Sequence, residues 1–163
     1  MSDCCSISAA DIPSPPALAC RSCGNRSKQV DTVTVKSLVR RLPFGMPQTQ
    51  YYFCDAPGCD VVYFASHPDA PSFKQSDLSV RVGAKETEHP IPVCYCFGFS
   101  RMDIQDEIAE TGRSTLAPRV TAEVKAGNCA CEVKNPSGKC CLGDIARAAQ
   151  GAIRALKEAG IAR

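Results

Sequence analysis

Six close cysteine pairs punctuate the chain: Cys4 and Cys5, Cys20 and Cys23, Cys54 and Cys59, Cys94 and Cys96, Cys129 and Cys131, Cys140 and Cys141. Twelve thiols in 163 residues leave two chemistries, a disulfide framework or metal ligation. A disulfide framework needs an oxidising compartment. Met1 to Ala19 has no basic start and no apolar core, and Pro13, Pro15 and Pro16 interrupt it, so it does not read as an export signal. No stretch approaches the ~20 apolar residues of a membrane span. The chain is therefore expected to be soluble in the reducing cytoplasm, where thiolates bind metals rather than one another. The spacing agrees, because Cys94-x-Cys96 and Cys129-x-Cys131 are too tight for easy local bridging.

The first constellation is Cys20-Arg-Ser-Cys23 with Cys54-Asp-Ala-Pro-Gly-Cys59. A C-x2-C turn brings two thiolates to one ion, and a second pair in a hairpin turn completes a tetrahedron. Four thiolates at ~2.3 Å make a closed, structural Zn²⁺ site. Gly24 and Gly58 allow tight bends beside each pair. The competing reading, four reduced core cysteines, does not explain two separate ligand-spaced pairs. A small sheet also lacks the apolar core to hold itself, and zinc would supply that stability. His67 and His89 each sit beside proline in polar stretches and read as solvated loop residues.

The second constellation is Cys94-Tyr-Cys96 with the stretch from Cys131 through Asn135-Pro136-Ser137-Gly138 to Cys140-Cys141. A [2Fe-2S] cluster takes four thiolates as two pairs, one per iron. Both stretches lead into expected helices, whose free amides and positive dipole ends favour an anionic centre. The Asn-Pro-Ser-Gly turn can wrap further amides around the sulfurs.

The elements that position these groups follow from pattern. Met1–Ala19 reads as a flexible arm, residues 20–88 as a zinc-binding β module, and 89–163 as a helical module. Val30 to Val35 is β-branched and roughly alternating, which predicts a strand. Leu42 to Gln50, with Pro43, Gly45 and Pro47, is a loop. Tyr51–Phe53 and Val61–Phe64 predict two strands with Cys54 and Cys59 in the turn between them. Gly83 to Pro92 reads as a linker. Ser100 and Asp103 form a near capping box for a helix ended by Gly112, with Met102, Ile104 and Ile108 on its apolar stripe. Pro118 opens a second short helix carrying Val120 and Val124. A last helix runs from about Leu142 to Ala159, with Ile145, Ala149, Ala152, Ile153 and Leu156 on its core face and Gly160 as its cap. The fold class is α+β, a small β module followed by a helical one.

These motifs carry a family resemblance. C-Y-C before a helix, then C-x-V-x-N-P-S-G-x-C-C some forty residues on, resembles the N-terminal iron–sulfur and zinc domain of CopZ-type copper chaperones. So does the upstream order C-x2-C, Y-F-C-x4-C-x-V-V-Y-F and R-V-G-x-K-E. The resemblance spans Cys20 to about Asp144, and the helical half is similar to the bacterioferritin-associated ferredoxin, a small [2Fe-2S] module. By position, it implies cluster ligands Cys94, Cys96, Cys131 and Cys141, and zinc ligands Cys20, Cys23, Cys54 and Cys59. It prefers Cys141 to Cys140 because the ligand is the second of the pair. It gives Cys129 no counterpart. The metal-transfer domain that follows in such chaperones, with its M-x-C-x-x-C loop, has no match here. Cys4 and Cys5 form a vicinal pair instead, suited to a soft ion such as Cu(I) or Hg(II).

The function implied is that of an iron–sulfur and zinc metallochaperone, some relatives of which accompany mercury resistance. It would carry Cu(I) or Hg(II) on transient ligands drawn from Cys4, Cys5, Cys129 and Cys140 and pass the ion to a metal transporter or other acceptor. Its contact with a membrane protein would be transient at most. The cluster would have a redox role fed by an electron donor. The alternative is a [2Fe-2S] electron-transfer ferredoxin serving a reductase. A third reading is an interaction module on a zinc ribbon. A net charge of +2 with no long basic run gives no reason to expect nucleic acid. No phosphate loop, nucleophile elbow or H-E-x-x-H is present, so the chain is not expected to be a conventional enzyme. Metal-ion reduction through the cluster is the one reaction the groups suggest. Asp103, Asp106, Glu107 and Glu110 share a helix and read as a solvated acidic face.

Overall fold

The computed structural model describes residues 16–160. Strands β1 (Ala17–Ala19), β2 (Arg26–Val30), β3 (Tyr51–Phe53), β4 (Val61–Ala65) and β5 (Phe73–Lys74) form an antiparallel sheet in sequential order. Register fixes where its turns go. Ala19 lies opposite Arg26, Lys28 opposite Phe53, and Phe53 opposite Tyr63. The β1–β2 and β3–β4 turns therefore leave the sheet at the same end, and these are the turns that hold Cys20 and Cys23, Cys54 and Cys59.

Period-two alternation lets β3 and β4 serve two cores. Tyr51 and Tyr63 point to one side, among Val30, Val35, Phe73 and Leu78. Tyr52 and Phe64 point to the other, packed with Cys20, Cys54 and Cys59. Their rings stack with centroids 5.7 Å apart, so an aromatic floor shields three of the four sulfurs from that side.

The expected strand over Val30–Val35 is broken after its first residue. Asp31 accepts a hydrogen bond from Val33 N at 3.0 Å, and helix α1 runs over Thr32–Leu38. Strand propensity is weaker than tertiary packing here. Thr34, Val35 and Leu38 are the buried positions, a helical i, i+1, i+4 face that a strand would have split between core and solvent. The loop over Leu42 to Gln50 is present as read, and Phe44 within it is fully exposed.

Beyond a 3₁₀ turn at Gly83–Lys85, β6 (Pro92–Cys94) and β7 (Phe99–Ser100) make a short ribbon with Cys96 in its turn. Helices α2 (Arg101–Thr111), α3 (Leu116–Lys125), α4 (Cys131–Lys134) and α5 (Leu142–Glu158) follow. The capping box of α2 is formed, with Asp103 N donating to Ser100 Oγ at 3.3 Å and Ser100 N to Asp103 Oδ2 at 2.6 Å. Gly112 takes φ 76° to end it, a left-handed conformation that favours glycine. Pro118 sits in the first turn of α3, where its missing N–H costs nothing. Ile104, Ile108, Leu116, Val120 and Ile145 close a core around Cys94, Cys131 and Cys141. The architecture is α+β. No helix among the described residues is long and apolar enough to cross a membrane.

The two halves are stitched together by specific bonds. Thr34 Oγ1 donates to Glu132 O and Tyr63 Oη to Pro136 O, each at 2.6 Å. Gly138 (φ +68°) lies so close that an added Cβ would stand 2.7 Å from Thr34 Oγ1. Tyr95, between Cys94 and Cys96, accepts from Gly83 N at 2.8 Å and donates to Arg81 O at 2.9 Å. Both cysteine loops of the helical half thus rest on the sheet half. The segment Gly83–Pro92, read as a linker, instead contributes the buried residues Gly83, Lys85 and Ile91.

Two buried tyrosines separate the value of these bonds from that of ring packing. Tyr63→Phe leaves the Pro136 carbonyl without its donor and is expected to cost about 1–3 kcal/mol. Tyr51 Oη is buried with no partner among the described residues, so Tyr51→Phe should be neutral or stabilising. Denaturant unfolding of both variants at equal metal loading gives the comparison.

Candidate metal centres

All ten cysteines among the described residues are free thiols. Cys4 and Cys5 lie outside those residues. The ten fall into one group of four, a neighbouring pair and trio, and a single exposed thiol.

The group of four is Cys20, Cys23, Cys54 and Cys59, whose Sγ atoms all lie within 4.8 Å of one another. Cys20 and Cys59 are 4.0 Å apart and Cys23 and Cys54 3.7 Å. Sulfurs on one tetrahedral Zn²⁺ stand about 3.8 Å apart, given Zn–S bonds of about 2.3 Å, so the spacing and the all-thiol donor set fit zinc. Short backbone bonds hold each turn: Gly24 N to Cys20 O at 2.7 Å and Cys59 N to Ala56 O at 3.2 Å. Gly24 needs its glycine (φ +74°), whereas Gly58 has no left-handed backbone. Asn25 Nδ2 donates to Asp55 Oδ1 at 2.8 Å and ties the two turns together. Of these four only Cys23 is exposed.

Lys85 enters this centre from the far side of the chain. Buried to 6% exposure, its Nζ donates to Ala56 O and Cys59 O at 2.8 Å each and approaches Cys54 Sγ at 4.0 Å. An ammonium group has three donors, and all three face the second cysteine turn. Four thiolates on Zn²⁺ carry net charge −2, which a buried cation offsets. Sequence reading missed Lys85; the one signal was its place in the R-V-G-x-K-E stretch.

At the second centre Cys141 Sγ lies 3.3 Å from Cys94 Sγ, both fully buried. Beside them Cys96 stands 3.6 Å from Cys129 and 3.7 Å from Cys131, and Cys129 and Cys131 are 3.2 Å apart. Ala130 N donates to Cys96 Sγ at 3.3 Å. Cys131 is the first residue of α4 and Cys141 caps α5, so helix N-termini face the sulfurs. An all-sulfur set with two sulfurs at one end and more at the other fits a dinuclear iron–sulfur centre. Cys140 turns away, exposed, into a cleft of about 720 Å³ between the halves, which is lined also by five basic residues, Arg26, Lys28, Arg101, Lys139 and Arg147, and by Asp55 and Asp144, the latter paired with Arg147. Cys129, for which the pattern offered no place, joins the second centre.

Burial sets the electrostatics. It pushes the thiols of Cys54 and Cys131 up to about 12 and raises Cys141 as well. At Cys59 burial works against ionisation, but hydrogen bonds from Ser22, Val61 N, Cys23 and Cys20 outweigh it and bring the thiol down to about 7. Buried thiols in van der Waals contact cannot all become thiolates unless a cation is bound among them. His67 and His89 are exposed and belong to neither centre.

This architecture defines a metal-binding protein whose candidate sites are built from cysteine alone. Residues 17–79 match the CopZ-type family described as a zinc binding domain. The structure resembles the X-ray structure of the Archaeoglobus fulgidus CopZ N-terminal domain, with a TM-score of 0.64 and 30% identity over 80% of this chain and 96% of that one. The copper chaperone CopZ of Archaeoglobus fulgidus is 32% identical over 124 residues, 76% of this chain. The chain belongs to the family of the CopZ N-terminal domain. It spans 58% of the length of that full chaperone.

Replacing Lys85 with Met keeps the aliphatic stem and removes its donors. Zinc affinity, measured by competition with a chromophoric chelator, is expected to fall about 10- to 100-fold.

Proposed function

We propose that this chain is an iron–sulfur and zinc metallochaperone. Zinc is held by Cys20, Cys23, Cys54 and Cys59 as a structural ion. A [2Fe-2S] cluster is held by Cys94, Cys96, Cys131 and Cys141 in a bacterioferritin-associated-ferredoxin-like helical module. The observation that carries this reading is the division of the sulfurs: one set of four at tetrahedral spacing, and a second set richer in thiols than one mononuclear site needs. The kinship to a copper chaperone supports a soft, thiophilic cargo, Cu(I) or Hg(II). Such ions move by thiolate exchange, and Cys4, Cys5, Cys129 and Cys140 are the sulfurs outside the two resident sets. The acceptor is a metal transporter or another metal protein, and the setting is the reducing cytoplasm. The cluster supplies one-electron chemistry when bound, and the chain's residues tune it through the Ala130 amide on Cys96 and the apolar core around Cys94 and Cys141.

A second reading, an electron-transfer ferredoxin, is favoured by the basic cleft beside Cys140, next to a proposed ligand. Clustered lysine and arginine would dock an acidic reductase and make its encounter dependent on ionic strength.

Anaerobic metal analysis comes first, and two irons, two sulfides and one zinc per chain are expected. Titration with Cu(I) under a competing chelator then separates the readings. A chaperone binds about one equivalent with its iron and zinc retained. Binding that proceeds only as iron is released overturns the chaperone assignment.

A further inference from the structure

The second centre has more sulfur than a [2Fe-2S] cluster uses. Each iron of such a cluster has four positions, two filled by bridging sulfide and two by thiolate. At one end Cys94 and Cys141 face each other alone, and Cys140 points away into the cleft. At the other end Cys96 has two neighbours: Cys129 at 3.6 Å and Cys131 at 3.7 Å. Both spans match the edge of a thiolate tetrahedron, about 3.8 Å. Distance to Cys96 gives no preference between them, although of the two it is Cys131 that also lies against Cys141.

The backbone leaves the choice open as well. Cys129 and Cys131 flank Ala130, whose N–H donates to Cys96 Sγ at 3.3 Å. That bond anchors the middle of the arch whichever neighbour coordinates. Cys131 begins α4 and Cys129 precedes it, and the Ala130 cap is non-helical, with φ −135° and ψ 48°. Rotation of the two side chains about χ1 would trade one sulfur for the other and leave in place the bonds of Val133 N and Lys134 N to Ala130 O, 3.1 Å each. Their burial differs: Cys131 is buried and Cys129 half-buried.

We propose that Cys129 and Cys131 are interchangeable ligands of the iron held by Cys96, so that this corner always keeps one thiol in reserve. The proposal rests on the [2Fe-2S] assignment above. In the exchange one Fe–S(Cys) bond forms as the other breaks. The proton of the incoming thiol passes to the outgoing thiolate, and the irons keep their oxidation states. The reserve thiol gives a soft ion a point of attachment beside Cys96 that does not require the cluster to open.

The test uses the full chain, reconstituted anaerobically with iron and sulfide, as wild type and as Cys129→Ala, Cys131→Ala, the double variant and Cys141→Ala. Zinc content reports whether the sheet half is intact. Each single variant at 129 or 131 should retain two irons, with the visible charge-transfer bands of Cys131→Ala displaced from those of wild type. The double variant and Cys141→Ala should keep less than a tenth of the iron. A Cys131→Ala protein as poor in iron as Cys141→Ala overturns the proposal, and so does a double variant that keeps both irons. Brief alkylation of iron-loaded wild type, followed by peptide mapping, adds a measurement that no substitution can confound. Label should divide between Cys129 and Cys131 and sum to about one per chain. Label confined to Cys129 means a fixed ligand set and sinks the idea. Iron-free wild type overturns the cluster assignment and this inference together, whereas iron-loaded wild type with an iron-free Cys131→Ala overturns this inference alone.

Discussion

Strand register is the constraint on which the first centre depends. Lys28 opposite Phe53 and Phe53 opposite Tyr63 put two hairpin turns side by side, and four sulfurs arrive within 4.8 Å of one another. A slip of one residue would exchange the faces of β3 and send Tyr52 away from the sulfurs. The register cannot be strong on its own account, because β1, β3 and β5 have only three, three and two residues. Aromatic stacking of Tyr52 on Phe64 helps, but the largest restraint available is an ion joining the two turns. Binding energy of that kind is folding energy, and an ion held there would stabilise a sheet of such short strands.

The second centre is assembled on the opposite plan. Its sulfurs come from a ribbon turn, from the residues around the start of α4, and from the cap of α5. None of these elements is long enough to fix a side chain by itself except α5. The sheet half does the positioning, through Thr34, Tyr63 and Gly138 against the 131–141 loop and through Tyr95 against Arg81 and Gly83. Gly83 is held to its type by this packing, since a Cβ there would meet Pro92 O at 2.1 Å. The two halves therefore brace each other, and the residues between them are structural rather than spacer.

Sequence pattern reveals features whose causes are local. The capping box at Ser100, the glycine stop at 112 and the cysteines placed in the turn between two aromatic strands are all set by neighbours within a few residues, and the structure has each of them. Helix α1 was hidden because its β-branched residues advertise a strand, and only the Asp31 cap and the depth of Val35 and Leu38 in the core reverse that preference. Lys85 and Cys129 were hidden for another reason. Lys85 meets Cys54 and Cys59 from 26 to 31 residues away, and Cys129 meets Cys96 across 33. No periodicity encodes such meetings, which depend on how the completed halves dock.

Tyr95 carries a consequence for how the molecule communicates. One phenol oxygen accepts from the Gly83 amide and donates to the Arg81 carbonyl, and Gly83 lies two positions before the lysine that cradles the first set of sulfurs. Lys85, Gly83 and Tyr95 thus form a short linkage from the first set of cysteines to the hairpin that carries Cys94 and Cys96. The two sets of cysteines therefore share one support, and a substitution that displaces Gly83 or Tyr95 reaches both.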